Sequence, residues 1–206
     1  MAKELIGILK RIHEHDIIHQ DLKPQNLMKD SKGNLYIIDF GLSTMKAVGK
    51  ECNKKRGFIG TPRYASLTAH KGKFQTPRDD LESIMYVLAY LYMKKLPWLK
   101  INVSKEKKLD EIMKFKEIAT EEFFKSISNG FFYAYEYMRE LKCHETIDYS
   151  FISNLFTSQR NTFTSSRVKI VEGLRRRSEM KSTLLMFENT PTIMINEVDK
   201  ENKAST

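Results

Sequence analysis

The sequence predicts a mainly α-helical fold with one small β-hairpin, and three observations support that class. Near the start of the chain, apolar residues recur at the spacing of one helix face, at Leu5, Ile6, Leu9 and Ile12. The apolar run over residues 84–93 is long enough for a buried helix. The turn-forming residues 30–34 separate two short apolar stretches, which is typical of a hairpin.

The elements of the first half follow in chain order. Residues 2–15 are predicted to form an amphipathic helix, and Leu27-Met28 and residues 35–38 are predicted to form the two strands of the hairpin. The run 84–93 has about half the length of a membrane-spanning helix, so it predicts a helix buried in the protein core. We therefore expect no membrane association.

The second half is predicted to add further helices. Residues 104–116 form a lysine-rich helix, and Thr120, followed by two glutamates, caps the next one. Residues 131–141 are rich in aromatic side chains and predict core packing. Asp148 is predicted to cap a last helix over residues 149–156.

The domain organisation follows from where the apolar periodicity fades. Residues 1–156 are predicted to form one folded domain, and residues 157–206 a weakly ordered tail. Residues 157–181 carry seven basic and two acidic side chains, whereas residues 182–206 carry two basic and four acidic ones. The tail is therefore basic first and acidic afterwards.

The composition is that of a soluble globular protein. The formal net charge is +9, with 30% charged and 41% hydrophobic residues. Two cysteines, Cys52 and Cys143, are too few for a disulfide framework and are expected to be free thiols in a reducing compartment. The first residues show no signal-peptide pattern. We expect the protein in the cytoplasm or the nucleus.

Positive charge is concentrated between residues 44 and 75, where eight Lys or Arg stand against Glu51 alone, a balance of +7. Basic surfaces can bind nucleic acid, but aromatic residues are not interleaved with this one as a stacking platform requires. An acidic or phosphorylated protein is the expected partner, and a solvated surface without a specific partner is the alternative.

The residues with the clearest chemical meaning lie in the segment HQDLKPQN, residues 19–26, and at Asp39. Asp21 can accept or orient the proton of a hydroxyl nucleophile, and Lys23 can steady a transferred phosphoryl group. Asn26 and Asp39 are hard oxygen ligands of the kind that Mg²⁺ prefers when it also binds phosphate. The pattern predicts phosphoryl transfer; a capped loop at Asp21 and an Asx turn at Asn26 are the alternative.

This pattern resembles the catalytic loop of eukaryotic protein kinases, in which His-Arg-Asp is followed by four variable residues, an Asn and later an Asp-Phe-Gly. Asp39-Phe40-Gly41 matches the later element. The resemblance implies ATP and Mg²⁺ as cofactors, bound by Lys23, Asn26 and Asp39, and protein substrates. The step Lys23-Pro24 resembles serine/threonine kinases rather than tyrosine kinases or aminoglycoside phosphotransferases.

Three further elements resemble the casein kinase I family. Residues 60–66 read GTPRYAS and lack the Ala-Pro-Glu that most kinases place there, residues 78–83 read RDDLES, and residues 96–98 read LPW. The resemblance covers residues 5–156, about three quarters of the chain. It implies transfer of the ATP γ-phosphoryl group to serine or threonine of acidic or phosphorylated proteins.

The same resemblance implies roles for Asp80 and Thr61. Asp80 would anchor the catalytic loop by accepting hydrogen bonds from its backbone amides. A helix cap at Asp79 or Asp80 is the alternative, and it is compatible with the anchoring role. Thr61 would bond Asp21 or Lys23 through its hydroxyl and so assist catalysis; an ordinary turn threonine is the alternative.

Arg63 and Lys108 are implied as substrate-binding residues. In the casein kinase I family, the arginine before the catalytic aspartate joins the residues at these two positions in a basic pocket. Gln20 stands at that position here, and glutamine cannot replace the charge. We therefore expect weaker phosphate recognition at this pocket.

The 206 residues contain no G-x-G-x-x-G motif, and twenty residues precede Asp21. We therefore expect the folded domain to be the C-terminal lobe of a protein kinase and, on its own, to bind ATP poorly. A noncatalytic docking module is the alternative function. The surface that would contact an upstream lobe is expected to expose apolar side chains.

Overall fold

The computed structural model describes residues 1–46, 54–104, 107–142 and 145–156, and these are mostly helical. All of them lie in one compact unit, Met1–Ser165. The predicted tail and both cysteines lie outside the described residues. The mainly helical class with a small hairpin is confirmed, whereas the lobe assignment stays a prediction.

The chain begins with helix α1, Ala2–Glu14, whose buried face carries Leu5, Ile6 and Leu9. This confirms the predicted amphipathic helix. A short strand β1, Ile17–Ile18, follows it directly and ends where the HQDLKPQN segment begins.

Strands β2, Leu27–Lys29, and β3, Leu35–Ile37, form the predicted hairpin, with Leu27 opposite Ile37. Asp30 stabilises the turn, because its Oδ1 accepts hydrogen bonds from the amides of Lys32 and Asn34 at 2.9 and 2.8 Å. A further strand β4, Thr44–Met45, pairs antiparallel with β1. The 3₁₀ turn Pro24–Asn26 connects the HQDLKPQN segment to the hairpin.

Helix α2, Leu67–His70, precedes the buried helix α3, Pro77–Met93. The cap predicted at Asp79 or Asp80 is wrong, because the helix is capped by Thr76. Asp79 lies in the first turn of α3, and its Oδ2 accepts hydrogen bonds from Thr76 N at 2.7 Å and Thr76 Oγ1 at 2.9 Å. Asp80 is thereby left for contacts outside the cap.

Helix α4, Lys108–Ile127, replaces the two helices predicted over this region. The predicted cap at Thr120 is wrong because its hydroxyl donates to the carbonyl of Lys116, four residues earlier in the same helix, at 2.5 Å. Buried residues recur along one face through the predicted break, at Ile112, Lys116, Thr120, Phe123 and Phe124. A continuous buried face favours one helix.

Helices α5, Asn129–Glu140, and α6, Tyr149–Leu155, complete the described fold. The predicted cap of α6 is confirmed, because Asp148 Oδ1 accepts a hydrogen bond from Phe151 N at 2.8 Å. Helix α3 contacts α1, α2, α4 and α5, so it is the central helix of the core. The ring of Tyr86 on α3 lies 5.0 Å from Trp98 and 5.9 Å from Phe124.

Large apolar side chains are exposed on the hairpin and on the chain that follows it. The exposed fractions are 52% for Met28, 49% for Tyr36, 42% for Phe40, 48% for Leu42 and 64% for Met45. Exposed apolar side chains mark an interaction site where they form one contiguous patch. No helix in the described ranges has the length and apolarity needed to cross a membrane.

We predict opposite stability effects for two glycine-to-alanine substitutions. A Cβ at Gly130 would lie 2.5 Å from the carbonyl oxygen of Leu155, so G130A should destabilise the fold by roughly 1–3 kcal/mol. Gly7 lies inside α1 with no atom within 4 Å of the added Cβ, so G7A should stabilise it by about 0.5–1 kcal/mol. Urea unfolding of both variants measures this; destabilisation by G7A would contradict the described packing of α1.

Candidate active site

Asp80 anchors the start of the HQDLKPQN segment from the first turns of α3. It is fully buried, its Oδ2 accepts a hydrogen bond from His19 N at 2.7 Å, and its Oδ1 accepts one from Gln20 N at 2.9 Å. Hydrogen bonds to an ionised carboxylate are stronger than those between neutral groups. The backbone contacts predicted for Asp80 are therefore present.

A histidine on α1 completes the environment of Asp80. His13 Nε2 donates a hydrogen bond to Asp80 Oδ2 at 3.0 Å, and His13 Nδ1 pairs with the hydroxyl of Tyr149 at 2.5 Å. Burial, together with the negative charge of Asp80, raises the pKa of Tyr149. The Tyr149 hydroxyl thus keeps its proton and donates a hydrogen bond to His13 Nδ1. Sequence analysis missed this chain of contacts, which links α6, α1 and α3.

The carboxylate of Asp21 is held at both oxygens. Lys23 Nζ donates to Oδ2 at 2.5 Å, and the hydroxyl of Thr61 donates to Oδ1 at 2.6 Å. Asp21 is 6% exposed. The structure thus brings together the three residues predicted as catalytic, and the hydroxyl contact predicted for Thr61 is with Asp21. Each carboxylate oxygen retains accepting capacity for a further donor.

Asn26 and Asp39 lie at the same end of the hairpin. Asn26 is buried, and its Nδ2 donates to the carbonyl of Asp21 at 2.9 Å, which leaves Oδ1 as its hard oxygen. The Asn26 carbonyl accepts a hydrogen bond from the amide of Ile38 at 3.0 Å. Since Asp39 is the next residue after Ile38, this bond keeps the backbone of Asp39 near that of Asn26. Asp39 is exposed and has a left-handed backbone, with φ of 66°.

These two side chains fit a magnesium ion that also binds phosphate. One amide oxygen and one carboxylate match the small number of protein ligands that Mg²⁺ takes when phosphates and water supply the rest. In the described ranges, no three His, Cys, Asp or Glu side chains converge as a metal-binding group. A site built from protein ligands alone is therefore not found there.

The loop over residues 60–66 approaches the HQDLKPQN segment closely at Gly60. Gly60 has φ of 115°, and a Cβ added to it would lie 2.6 Å from the carbonyl oxygen of Gln20. Gln20 itself is 2% exposed and has φ of 68°. Only glycine permits this approach, which places the next residue, Thr61, within reach of Asp21.

Backbone carbonyls of this loop are held by side chains from three other elements. Lys116 Nζ on α4 donates to the carbonyls of Pro62 at 2.9 Å and Ala65 at 2.5 Å. Trp98 Nε1 donates to the carbonyl of Arg63 at 2.8 Å. His70 Nε2 on α2 lies 3.1 Å from the Pro62 carbonyl. The loop conformation is thus set by buried donors.

Lys116 was missed by sequence analysis, which placed it at the end of a lysine-rich helix and gave it no role. It is fully buried, and its Nζ lies 4.6 Å from the ring centroid of Tyr86 and 5.2 Å from that of Trp98. Burial lowers the pKa of Lys116 to about 7, although nearby Glu82 opposes the change. Burial also lowers the pKa of His70 to about 3, with Lys116 contributing, so His70 is neutral.

Arg63 and Lys108, the predicted substrate-binding residues, are both exposed. The guanidinium of Arg63 lies 6.0 Å from the ring centroid of Tyr64, and Lys108 is the first residue of α4. Lys116, on the same helix as Lys108, bonds the loop residues that flank Arg63. The two cations thus lie on elements in contact, and their joint pocket stays a prediction.

We predict a pH-dependent stability contribution from Lys116. Its pKa is about 7 when folded and near 10.5 when exposed, so the unfolded chain binds more protons across this range. The stability of the wild type relative to Lys116→Met should therefore rise from about pH 7 to pH 10, by a few kcal/mol at most.

Urea unfolding across this pH range measures the effect, and Lys114→Met is the matched control. Lys114 is exposed on the same helix, and its hydrogen bond to Glu111 raises its pKa, so it should give no such rise. Parallel stability curves for the wild type and Lys116→Met would contradict the assigned titration of Lys116.

One family model accounts for most of the chain. Residues 1–159 match the protein kinase domain, and this range includes the HQDLKPQN segment, Asp39, Thr61 and Asp80. It therefore contains each group whose geometry is described above. The match covers well over half of the 206 residues. The chain belongs to the protein kinase domain family.

Proposed function

We propose that this protein is a serine/threonine kinase of the casein kinase I type. It transfers the γ-phosphoryl group of ATP to serine or threonine of acidic or phosphorylated proteins. The observation that carries the proposal is the Asp21 carboxylate, bonded by Lys23 and Thr61 on a loop whose backbone is anchored to Asp80. Membership of the protein kinase domain family supports phosphoryl transfer to proteins in general.

Asp21 orients the substrate hydroxyl and accepts its proton. Its two oxygens already have fixed donors, at 2.5 Å from Lys23 and 2.6 Å from Thr61, so the carboxylate cannot rotate freely. A carboxylate held in this way meets a hydroxyl with little loss of conformational freedom on binding. Its remaining lone pairs are the acceptors for that hydroxyl.

Three residues, Lys23, Asn26 and Asp39, compensate the negative charge of the phosphate oxygens. Lys23 is partly exposed beside Asp21, so its ammonium group can contact a phosphoryl oxygen while it holds the carboxylate. Asn26 and Asp39 would hold Mg²⁺. When bound, Mg-ATP supplies the phosphoryl group and the metal neutralises charge on the phosphate oxygens. The residues of this chain supply position and electrostatic stabilisation.

Contacts of the RDDLES segment, residues 78–83, support the casein kinase I type. Asp80 holds the catalytic loop, and Glu82 Oε1 accepts hydrogen bonds from Leu67 N at 3.1 Å and from the Tyr86 hydroxyl at 2.7 Å. Leu67 directly follows the GTPRYAS loop, residues 60–66. One short segment of α3 therefore supports both the catalytic loop and the loop that carries Arg63.

Phosphotransfer by the 206-residue protein tests the proposal. At high Mg-ATP concentration, which offsets the expected weak nucleotide binding, Asp21→Asn should lower transfer to an acidic serine peptide by roughly 10²–10⁴-fold. Asp110→Asn, the same change at an exposed position, should leave transfer unchanged. Equal rates in the wild type and Asp21→Asn would refute the role of Asp21. No transfer by folded wild type would favour the noncatalytic docking module.

A metal-binding measurement tests Asn26 and Asp39 independently of transfer. Asp39→Asn removes a charged ligand and should weaken the binding of Mn²⁺, used in place of Mg²⁺, by roughly tenfold or more. Electron paramagnetic resonance of free Mn²⁺ measures this, with Asp110→Asn as the control. Unchanged Mn²⁺ affinity in Asp39→Asn would show that Asp39 is not a ligand.

A further inference from the structure

A cleft of about 370 Å³ beside the start of α3 is lined by part of the basic cluster of residues 44–75 and by cations from later in the chain. We call it the basic cleft. Five of its lining residues are cationic: Lys71, Lys73, Arg78, Arg139 and Lys142. None of the residues assigned to catalysis, metal binding or substrate binding lines it. It therefore needs an explanation of its own.

The cations of the basic cleft come from separate parts of the chain. Lys71 and Lys73 follow α2, and Arg78 is the second residue of α3. Arg139 lies in the last turn of α5, and Lys142 follows that helix. Like charges gathered in one concave site repel each other. Other interactions of the fold offset the free-energy cost of this repulsion. An anion in the cleft would relieve it.

The segment before the GTPRYAS loop adds more positive charge at the rim. Arg56 N bonds the carbonyl of Gly72 at 2.7 Å, and Lys55 pairs with Lys73 in an antiparallel bridge. The guanidinium of Arg56 lies 5.3 Å from the ring centroid of Phe74, which lines the cleft. The basic cluster of the sequence is therefore divided: these residues border the cleft, whereas Arg63 lies elsewhere.

Arg78 is held in position within the cleft. Its Nη1 donates to the carbonyl of Leu141 at 2.7 Å and its Nη2 to the hydroxyl of Thr68 at 2.8 Å, while the carboxylate of Asp79 lies 3.8 Å away. These contacts leave further guanidinium donors for a ligand. A preorganised guanidinium loses little conformational entropy when it binds a phosphate.

Four acidic groups lie close to the cations and limit the net charge. Asp79 is buried and lines the cleft, and Glu117 pairs with Lys71 at 2.7 Å. Glu82 interacts electrostatically with Arg139, and Glu145 accepts a hydrogen bond from the amide of Lys142. The pair between Lys71 and Glu117 is substantially exposed and contributes little. Positive charge therefore exceeds negative charge in and around the cleft.

We propose that the basic cleft binds a phosphorylated segment of a protein. A concave site of this volume fits a phosphorylated side chain with its neighbours. Clustered Arg and Lys recognise phosphate groups on peptides. Nucleic acid is disfavoured, because the one aromatic ring of the lining, Phe74, is covered by Arg56. The inference that the phosphate group belongs to a protein rests on the proposed function, whereas the inference that the cleft binds phosphate does not.

The test is fluorescence anisotropy with a labelled acidic peptide that contains one phosphoserine, using the 206-residue protein without ATP. The double variant Lys73→Ala, Lys142→Ala removes two exposed cleft cations and should raise the Kd at least about fivefold. The control Lys29→Ala, Lys95→Ala removes the same charge from exposed positions outside the cleft and should leave the Kd within about twofold.

Each outcome decides the matter. An equal loss in both double variants, or no loss in either, would overturn the cleft as the site. Equal affinity for the unphosphorylated peptide would overturn phosphate recognition. A single-stranded oligonucleotide that binds more tightly, with the same dependence on Lys73 and Lys142, would make the occupant a nucleic acid. Since no step requires ATP, failure of this test is distinct from failure of phosphotransfer.

Discussion

The buried carboxylate of Asp80 is the contact on which the geometry of the HQDLKPQN segment depends. It accepts hydrogen bonds from His13 Nε2, His19 N and Gln20 N, and no part of it is exposed. A buried carboxylate without such donors costs several kcal/mol, so the charge is stable only while α1 and the loop converge on it. The packing of α1 against α3 and the position of Asp21 are therefore energetically coupled.

The GTPRYAS loop is constrained from both of its sides. On one side, Gly60 lies against the backbone of Gln20, and Thr61 bonds Asp21. On the other side, Lys116 and Trp98 donate to the carbonyls of three residues between 62 and 65. Because these donors bond backbone carbonyls, they hold residues 62–65 without any contribution from the side chains of those residues. Lys116 thus positions the residues that flank Arg63.

Sequence patterns predicted the parts of the fold that depend on near neighbours. The amphipathic helix α1, the hairpin and the cap at Asp148 follow from residues a few positions apart, and all three are confirmed. The cap predicted at Thr120 was wrong because a threonine followed by two glutamates has the same sequence pattern in two settings. Its hydroxyl can accept from an amide of the next turn as a cap, or donate to the carbonyl four residues earlier within a helix, as it does here. Lys116 was missed because its acceptors lie about fifty residues earlier in the chain. A lysine beside a charged stretch gives no local sign of burial.

Asp79 and Asp80 are neighbours in α3, and each contacts a different part of the protein: the basic cleft and the HQDLKPQN segment. Asp79 completes the capping box of Thr76 and lines the basic cleft, whereas its neighbour Asp80 bonds the backbone of the HQDLKPQN segment. Both carboxylates are buried and bonded to backbone amides, so this turn cannot shift without breaking both sets of contacts. The cleft and Asp21 are therefore held at a fixed separation.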